Sequence, residues 1–185
     1  QACWHIFCKK ESVIMELYDV IYNICQGART ASRSLANASG KDRNKILLCM
    51  AEKIRNAYED IIEANKIDLA SAKENGIKEA MLDRLMLNKD RIYAISDAIC
   101  YVAGLNDPIG TGEIFTRPNG LEIHKTRVPL GVVAMIYEAR PNVTPDAASL
   151  CIKSGNSVIL RGGKEAINSN KAIVKVIREA INECG

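Results

Sequence analysis

The stretch from Pro129 to Lys164, PLGVVAMIYEARPNVTPDAASLCIKSGNSVILRGGK, constrains the fold more than any other part of the chain. Two apolar runs, Val132 to Tyr137 and Ser157 to Leu160, read as buried strands. Each breaks into a loop of charge and backbone punctuation, Glu138 to Pro141 after the first and Arg161, Gly162, Gly163 and Lys164 after the second. The residues between them suit one short helix. Beyond the second loop, Ser169 is a candidate cap for a final helix with Ala172, Ile173, Val176, Ile177, Ala180 and Ile181 on one face. The order strand, helix, strand, helix implies a parallel sheet with right-handed crossovers, and ligands of such sheets bind beyond the carboxyl ends of the strands. Both charged loops lie at those ends.

Upstream the pattern is helical. Apolar residues at 17, 20, 21, 24, 28, 31 and 35 predict a helix from Leu17 to Leu35, ended by the turn at 38–40. Asp42 is a candidate cap for a second helix, with Ile46, Met50, Ile54, Tyr58, Ile61 and Asn65 inward and Arg43, Lys45, Glu52, Arg55 and Glu59 wet, continuing through Lys73 until Asn75-Gly76 stops it. A third helix is predicted from Lys89 to Val102, with Ile92, Ile95, Ala98, Ile99 and Val102 facing inward. Alternation from Ile114 to Arg127 around Asn119-Gly120 predicts a β-hairpin, an edge suited either to pairing between copies or to a plain surface ribbon. His124 on this ribbon reads as a surface or interface residue. The first 14 residues lack a clean period and read as a leader foreign to the fold, with Met15 as the natural start; an ordinary N-terminal arm is the bland alternative.

With 185 residues, 48% of them hydrophobic, the chain can bury the core of one domain or of one large piece of a longer protein. A formal charge of +3 without basic runs argues against nucleic acid. The charge is nonetheless uneven, since residues 117–164 carry seven Lys or Arg against three acids. Seven scattered cysteines (3, 8, 25, 49, 100, 151 and 184) form no ligand spacing. Cys49, Cys100 and Cys151 fall in helical patterns as small hydrophobes, which suits a reducing cytoplasm. No run approaches the roughly 18 apolar residues that span a bilayer.

Arg161 and Lys164 supply two cations around two glycines, an arrangement suited to an anion such as a phosphate. A solvated basic turn is the bland alternative. In the first loop Arg140 could hold a carboxylate or phosphate and Asn142 could donate to a developing oxyanion. The alternative there is that Arg140 pairs with Glu138 or Asp146 while Asn142 shapes a turn.

The run VPLGVVAMIYEARPNVTPDAASLCIKSGNSVILRGGKEAINSN, and above all IYEARPNVT, resembles the γ-glutamyl phosphate reductases, or glutamate-5-semialdehyde dehydrogenases, of the aldehyde dehydrogenase superfamily. The similarity extends back through LNDPIG to about Met15. The resemblance implies an α/β, aldehyde-dehydrogenase-like fold: N-terminal helices, a β-hairpin, then the parallel βαβα start of the cofactor domain. It implies NADPH-dependent reduction of L-glutamyl 5-phosphate to L-glutamate 5-semialdehyde and phosphate, the second step of proline biosynthesis, through a cysteine thioester. Arg161 matches the superfamily's ribose-holding basic residue, and Lys164 stands where NAD-preferring relatives often carry glutamate, which favours NADP. Gly162 and Gly163 complete the cofactor loop. Glu138 and Arg140 fall to the substrate, and Asn142 is the nearest match to the oxyanion asparagine, about two residues late. The family's nucleophilic cysteine lies downstream of Gly185, so this piece is expected to be inactive alone; Cys184 lacks the family's surroundings. A stand-alone nucleotide-binding or interaction module is the other reading. The resemblance leaves open whether copies associate and whether glutamate kinase is a physical partner.

Overall fold

The computed structural model describes the backbone of residues 2–184 and the side chains of residues 15–184. The expectation of a foreign leader concerns side chains outside the described residues. Helix α1 runs Ala2–Asn37, α2 Gly40–Asn56, α3 Tyr58–Glu74, α4 Glu79–Leu85 and α5 Lys89–Gly104. Strands β1 (Gly112–Thr116) and β2 (Glu122–Thr126) follow, then β3 (Val132–Ile136), α6 (Val143–Lys153), β4 (Ser157–Arg161), a 3₁₀ turn (Lys164–Ala166) and α7 (Ile167–Cys184). Strands β1 and β2 pair antiparallel, and β3 and β4 pair parallel with Val132 opposite Ser157 and Ile136 opposite Arg161. The predicted βαβα order is present, with α6 as the crossover.

The core lies among α2, α5, α6 and α7, where Leu47, Met50, Ile54, Ile92, Ile99, Ile152 and Ile173 are buried together. Stripes at helical spacing drive this packing, because each helix buries one apolar face against the others. Several expectations are corrected. Among the described side chains of the first helix, only Ala28, Ser32 and Leu35 are covered, while Leu17, Val20, Ile21 and Ile24 are more than half exposed. The helix is tied to the sheet by a hydrogen bond, the Ser157 hydroxyl donating to the Ala28 carbonyl at 2.8 Å. Ser39, not Asp42, caps α2: its Oγ accepts from the Asp42 amide at 3.1 Å and donates to the Asp42 carboxylate at 2.6 Å. That places Asp42 at the third helical position, where its charge suits the amino end of the helix.

The expected single helix from 42 to 73 is two helices. Ala57, at φ −89° and ψ 19°, turns the chain between α2 and α3 while Ile61 and Asn65 stay buried. Arg43 is not on the wet face but 2% exposed, donating to the Ala38 carbonyl and the Asp107 carboxylate, both at 2.6 Å. Ala98 is exposed, and so is Cys100, which does not pack as a hydrophobe. Cys151 is buried as expected.

The hairpin forms with its turn shifted by one residue. Gly120 N–H donates to the Arg117 carbonyl at 2.9 Å, so Pro118 and Asn119 occupy the turn centre. Only Gly120 of that pair of Asn and Gly has positive φ, at 83°, which excludes the two-residue turn in which both would be positive. Pro118 explains the choice, because its ring sets φ for the first central position of an ordinary turn. His124 is exposed, 3.7 Å from Glu122. Strand β3 is not buried on both faces: Val132 is 38% and Ile136 77% exposed. A two-stranded sheet gives it too few covering neighbours.

Candidate functional site

The two charged loops leave β3 and β4 side by side, and the strand ladder continues into them through Tyr137 N–H donating to the Arg161 carbonyl at 3.1 Å. They then touch. A Cβ added at Gly163 would stand 3.2 Å from the Ala139 nitrogen, and one at Gly162 would stand 2.4 Å from Asn170 Nδ2 and 3.1 Å from the Tyr137 ring. Glycine at 163 lets the second loop lie close against the backbone of the first, and glycine at 162 leaves room for the Asn170 amide and the Tyr137 ring. Beneath them Thr144, fully buried, donates to Asn170 Oδ1 at 2.9 Å and lies 2.5 Å from the Tyr137 hydroxyl. This polar set ties the first loop, α6 and α7 into one unit.

Ser169 does not cap the final helix. It lies inside the first turn of α7, wholly buried, and the carboxylate that serves the free amides there is Asp68 of α3. Asp68 accepts from Asn168 N–H at 3.1 Å, Asn168 Nδ2 at 2.8 Å, Ser169 N–H at 2.8 Å and Ser169 Oγ at 2.6 Å. Next to it, Asn65 donates to Ser169 Oγ at 3.0 Å and to the Leu85 carbonyl at 2.9 Å, and accepts from Leu87 N–H at 2.7 Å. The chain thus hangs α7, and with it the preceding loop, on α3.

Each sequence-predicted site residue has a definite place. Arg161 ends β4 and Lys164 opens the 3₁₀ turn, both exposed and in no ion pair among the described residues. Between them Gly162 lines a cleft of about 430 Å³ whose other walls include Asn170, Lys171, Lys175 and Arg178 over Tyr137 and Val174, so this cleft is lined by the cations of α7 and not by Arg161 or Lys164. Glu138, Arg140 and Asn142 are exposed, and the Arg140 guanidinium pairs with neither Glu138 nor Asp146 among the described residues. Asn142 precedes α6 with helical backbone angles and donates its amide to Asp146 Oδ2 at 3.3 Å. It borders a second cavity, of about 380 Å³, together with Arg84, Arg91 and Asp146 over Leu87 and Ile95. The two loops open onto two separate hollows.

The second cavity contains residues missed in the sequence. Arg84 lies on α4, too short to show a period, and also borders a small hollow with Glu138 and Arg140. Burial of Asp146 holds its carboxyl above the ordinary carboxylate value, partly offset by the Asn142 hydrogen bond. The folded state therefore binds the Asp146 proton more tightly than the unfolded chain, and ionisation costs stability once the pH exceeds the ordinary value of 3.8. Asp146→Asn is expected to stabilise the chain at neutral pH, with the gain vanishing as the pH falls below that value. Urea unfolding of both proteins across this range would show it, and a gain independent of pH would refute it.

The fold defined by these elements is aldehyde-dehydrogenase-like. The chain superposes on a probable aldehyde dehydrogenase from Listeria monocytogenes EGD-e with a TM-score of 0.65 at 21% identity, covering 90% of this chain and 34% of that one. It also matches PnpE in complex with nicotinamide adenine dinucleotide, with a TM-score of 0.67 at 19% identity, covering 84% and 30%. More specifically, the chain is homologous to the N-terminal two fifths of the gamma-glutamyl phosphate reductases. It is 53% identical over 171 residues to that of Desulfitobacterium hafniense (strain DSM 10664 / DCB-2), covering 92% of this chain and 41% of the relative. The crystal structure of the reductase from Thermotoga maritima matches with a TM-score of 0.82 at 46% identity, covering 86% and 39%. The chain spans about two fifths of the length of these curated relatives. No protein-family model matches the chain. Among the described residues no helix is long and apolar enough to cross a membrane.

Proposed function

We propose that residues 15–185 are the N-terminal part of the NADP-binding domain of a reductase that converts L-glutamyl 5-phosphate to L-glutamate 5-semialdehyde and phosphate. The observation that carries this reading is the loop at the end of β4, where Arg161 and Lys164 stand exposed and without anionic partners among the described residues, on either side of the two glycines of which Gly162 lines the cleft. Those residues fit a phosphorylated dinucleotide: Arg161 holds the ribose through its fork of donors, and Lys164 attracts the 2′-phosphate that distinguishes NADPH from NADH. Bound there, NADPH supplies the hydride.

On the other side of the loop contact, Asn142 has a second amide hydrogen beyond the one given to Asp146, without an acceptor among the described residues, that can donate to the oxygen of the reacting carbonyl. Arg140 and Glu138 flank that end of the substrate. The nucleophile is a cysteine supplied by the part of the protein corresponding to the relatives' remaining length. Its thiolate bonds to the acyl carbon, the bond to the phosphate oxygen breaks, and phosphate leaves with the electron pair. Titration of the purified chain with NADPH and NADH, read by nicotinamide fluorescence, tests the reading: saturable binding in the micromolar range and tighter for NADPH is expected. Absence of saturation with NADPH would overturn it.

A further inference from the structure

The second cavity sets an unpaired cation and an under-bonded acid around an apolar floor. Arg91 is already committed, donating to the Asp83 carboxylate at 2.8 Å, to the Met86 carbonyl at 2.9 Å and to the Asp83 carbonyl. Arg84 is in no hydrogen bond or ion pair among the described residues, so its guanidinium is the available fork. Asp146 is half-buried, and its one side-chain partner among the described residues is the long contact from Asn142. A carboxylate withdrawn from water with so little compensation gains from a cation brought by a ligand. A simple anion suits Arg84 but not Asp146, and a simple cation the reverse. A zwitterion satisfies both.

We propose that this cavity seats the α-amino-acid head of the substrate, Arg84 taking the α-carboxylate and Asp146 the α-ammonium. The assignment rests on the reading of the chain as part of a glutamyl phosphate reductase, and it adds the feature that separates an amino-acid substrate from a plain acyl phosphate. Leu87 and Ile95 give the methylenes an apolar floor, and Asn142 on the same rim leaves the reacting end beside the first loop. A cavity of about 380 Å³ is at the small end of ligand pockets, in keeping with a ligand of about ten heavy atoms.

Calorimetric titration of the 185-residue chain with L-glutamate and with glutarate, which lacks the ammonium, tests the proposal. Saturable binding of L-glutamate, at least about tenfold tighter than glutarate, is expected, since a charge-assisted hydrogen bond supports a difference of that order. Asp146→Asn should remove the preference, weakening L-glutamate while leaving glutarate no weaker because the like-charge repulsion is relieved, whereas Arg84→Ala should weaken both ligands about tenfold. Because Asp146→Asn is expected to stabilise the fold, its loss of L-glutamate cannot come from unfolding. Equal affinity for the two ligands, no saturable L-glutamate binding, or variants that bind like the parent would each overturn the proposal. A parallel NADPH titration separates the two readings: NADPH binding without L-glutamate binding overturns the head-group assignment alone. Discrimination of L-glutamate with no NADPH binding supports the head-group assignment and overturns the cofactor assignment instead.

Discussion

Asp68→Ala is expected to lower the unfolding free energy by about 3–5 kcal/mol, a large part of the roughly 5–15 kcal/mol that holds a domain of this kind together. The carboxylate is 3% exposed and accepts four hydrogen bonds, two of them from main-chain amides in the first turn of α7. Those amides have no intrahelical acceptor, so removing the carboxylate leaves buried donors unpaired and withdraws a negative charge from the positive end of the helix. Asp68→Asn serves as the control. It keeps one acceptor but turns the other oxygen into an amide NH2 that only donates, facing the donors of either Asn168 or Ser169, and a loss approaching that of alanine is expected. Urea unfolding followed by helical circular dichroism measures both. A loss below about 1 kcal/mol in the alanine variant would show that water replaces the carboxylate and that α3 does not anchor α7. The same variant should weaken NADPH binding, because the 3₁₀ turn carrying Lys164 leads directly into the released end of α7.

Much of this architecture is legible one helix or strand at a time. The stripes of α2, α5 and α7 are periodic because each packs one face on the others, and the parallel pair is announced by two apolar runs with loops at matching ends. The residues that fasten the elements to one another are harder to see. Asp68 sits between Ile67 and Leu69 with no local signal to mark it, since its partners are 100 and 101 residues away. Asn65 falls on the inner stripe by spacing alone, but its bonds to Ser169, Leu85 and Leu87 depend on the fold. Ser169 looks like a cap because serine so often is one, yet the 3₁₀ turn moves the helix start upstream to Ile167. Arg43 reads as wet until Asp107 arrives from beyond α5. At the site, the charged loops stand out by composition. Their separation onto two hollows and the place of Arg84 depend on α4, whose seven residues are too few to display a face.

Lys164→Glu is expected to weaken NADPH binding on the order of a hundredfold while changing NADH binding by less than about threefold. The two cofactors differ only in the 2′-phosphate. Reversing a unit charge near a group of nearly two negative charges shifts the interaction by a few kcal/mol in a partly solvated site, and each 1.4 kcal/mol is about tenfold in affinity. For NADH the glutamate is no obstacle, because a carboxylate at this kind of position can accept from the ribose hydroxyls. Lys164 is exposed and makes no ion pair among the described residues, so the substitution removes no packing and the unfolding midpoint should stay where it is. Salt gives an independent check: added electrolyte should weaken NADPH binding to the parent chain and strengthen it in the variant, since screening relieves attraction in one and repulsion in the other. Equal losses of NADPH and NADH, insensitive to salt, would mean that Lys164 shapes the loop and leaves the phosphate to another residue. The cations Lys171 and Lys175 on the cleft wall would then be the next to replace.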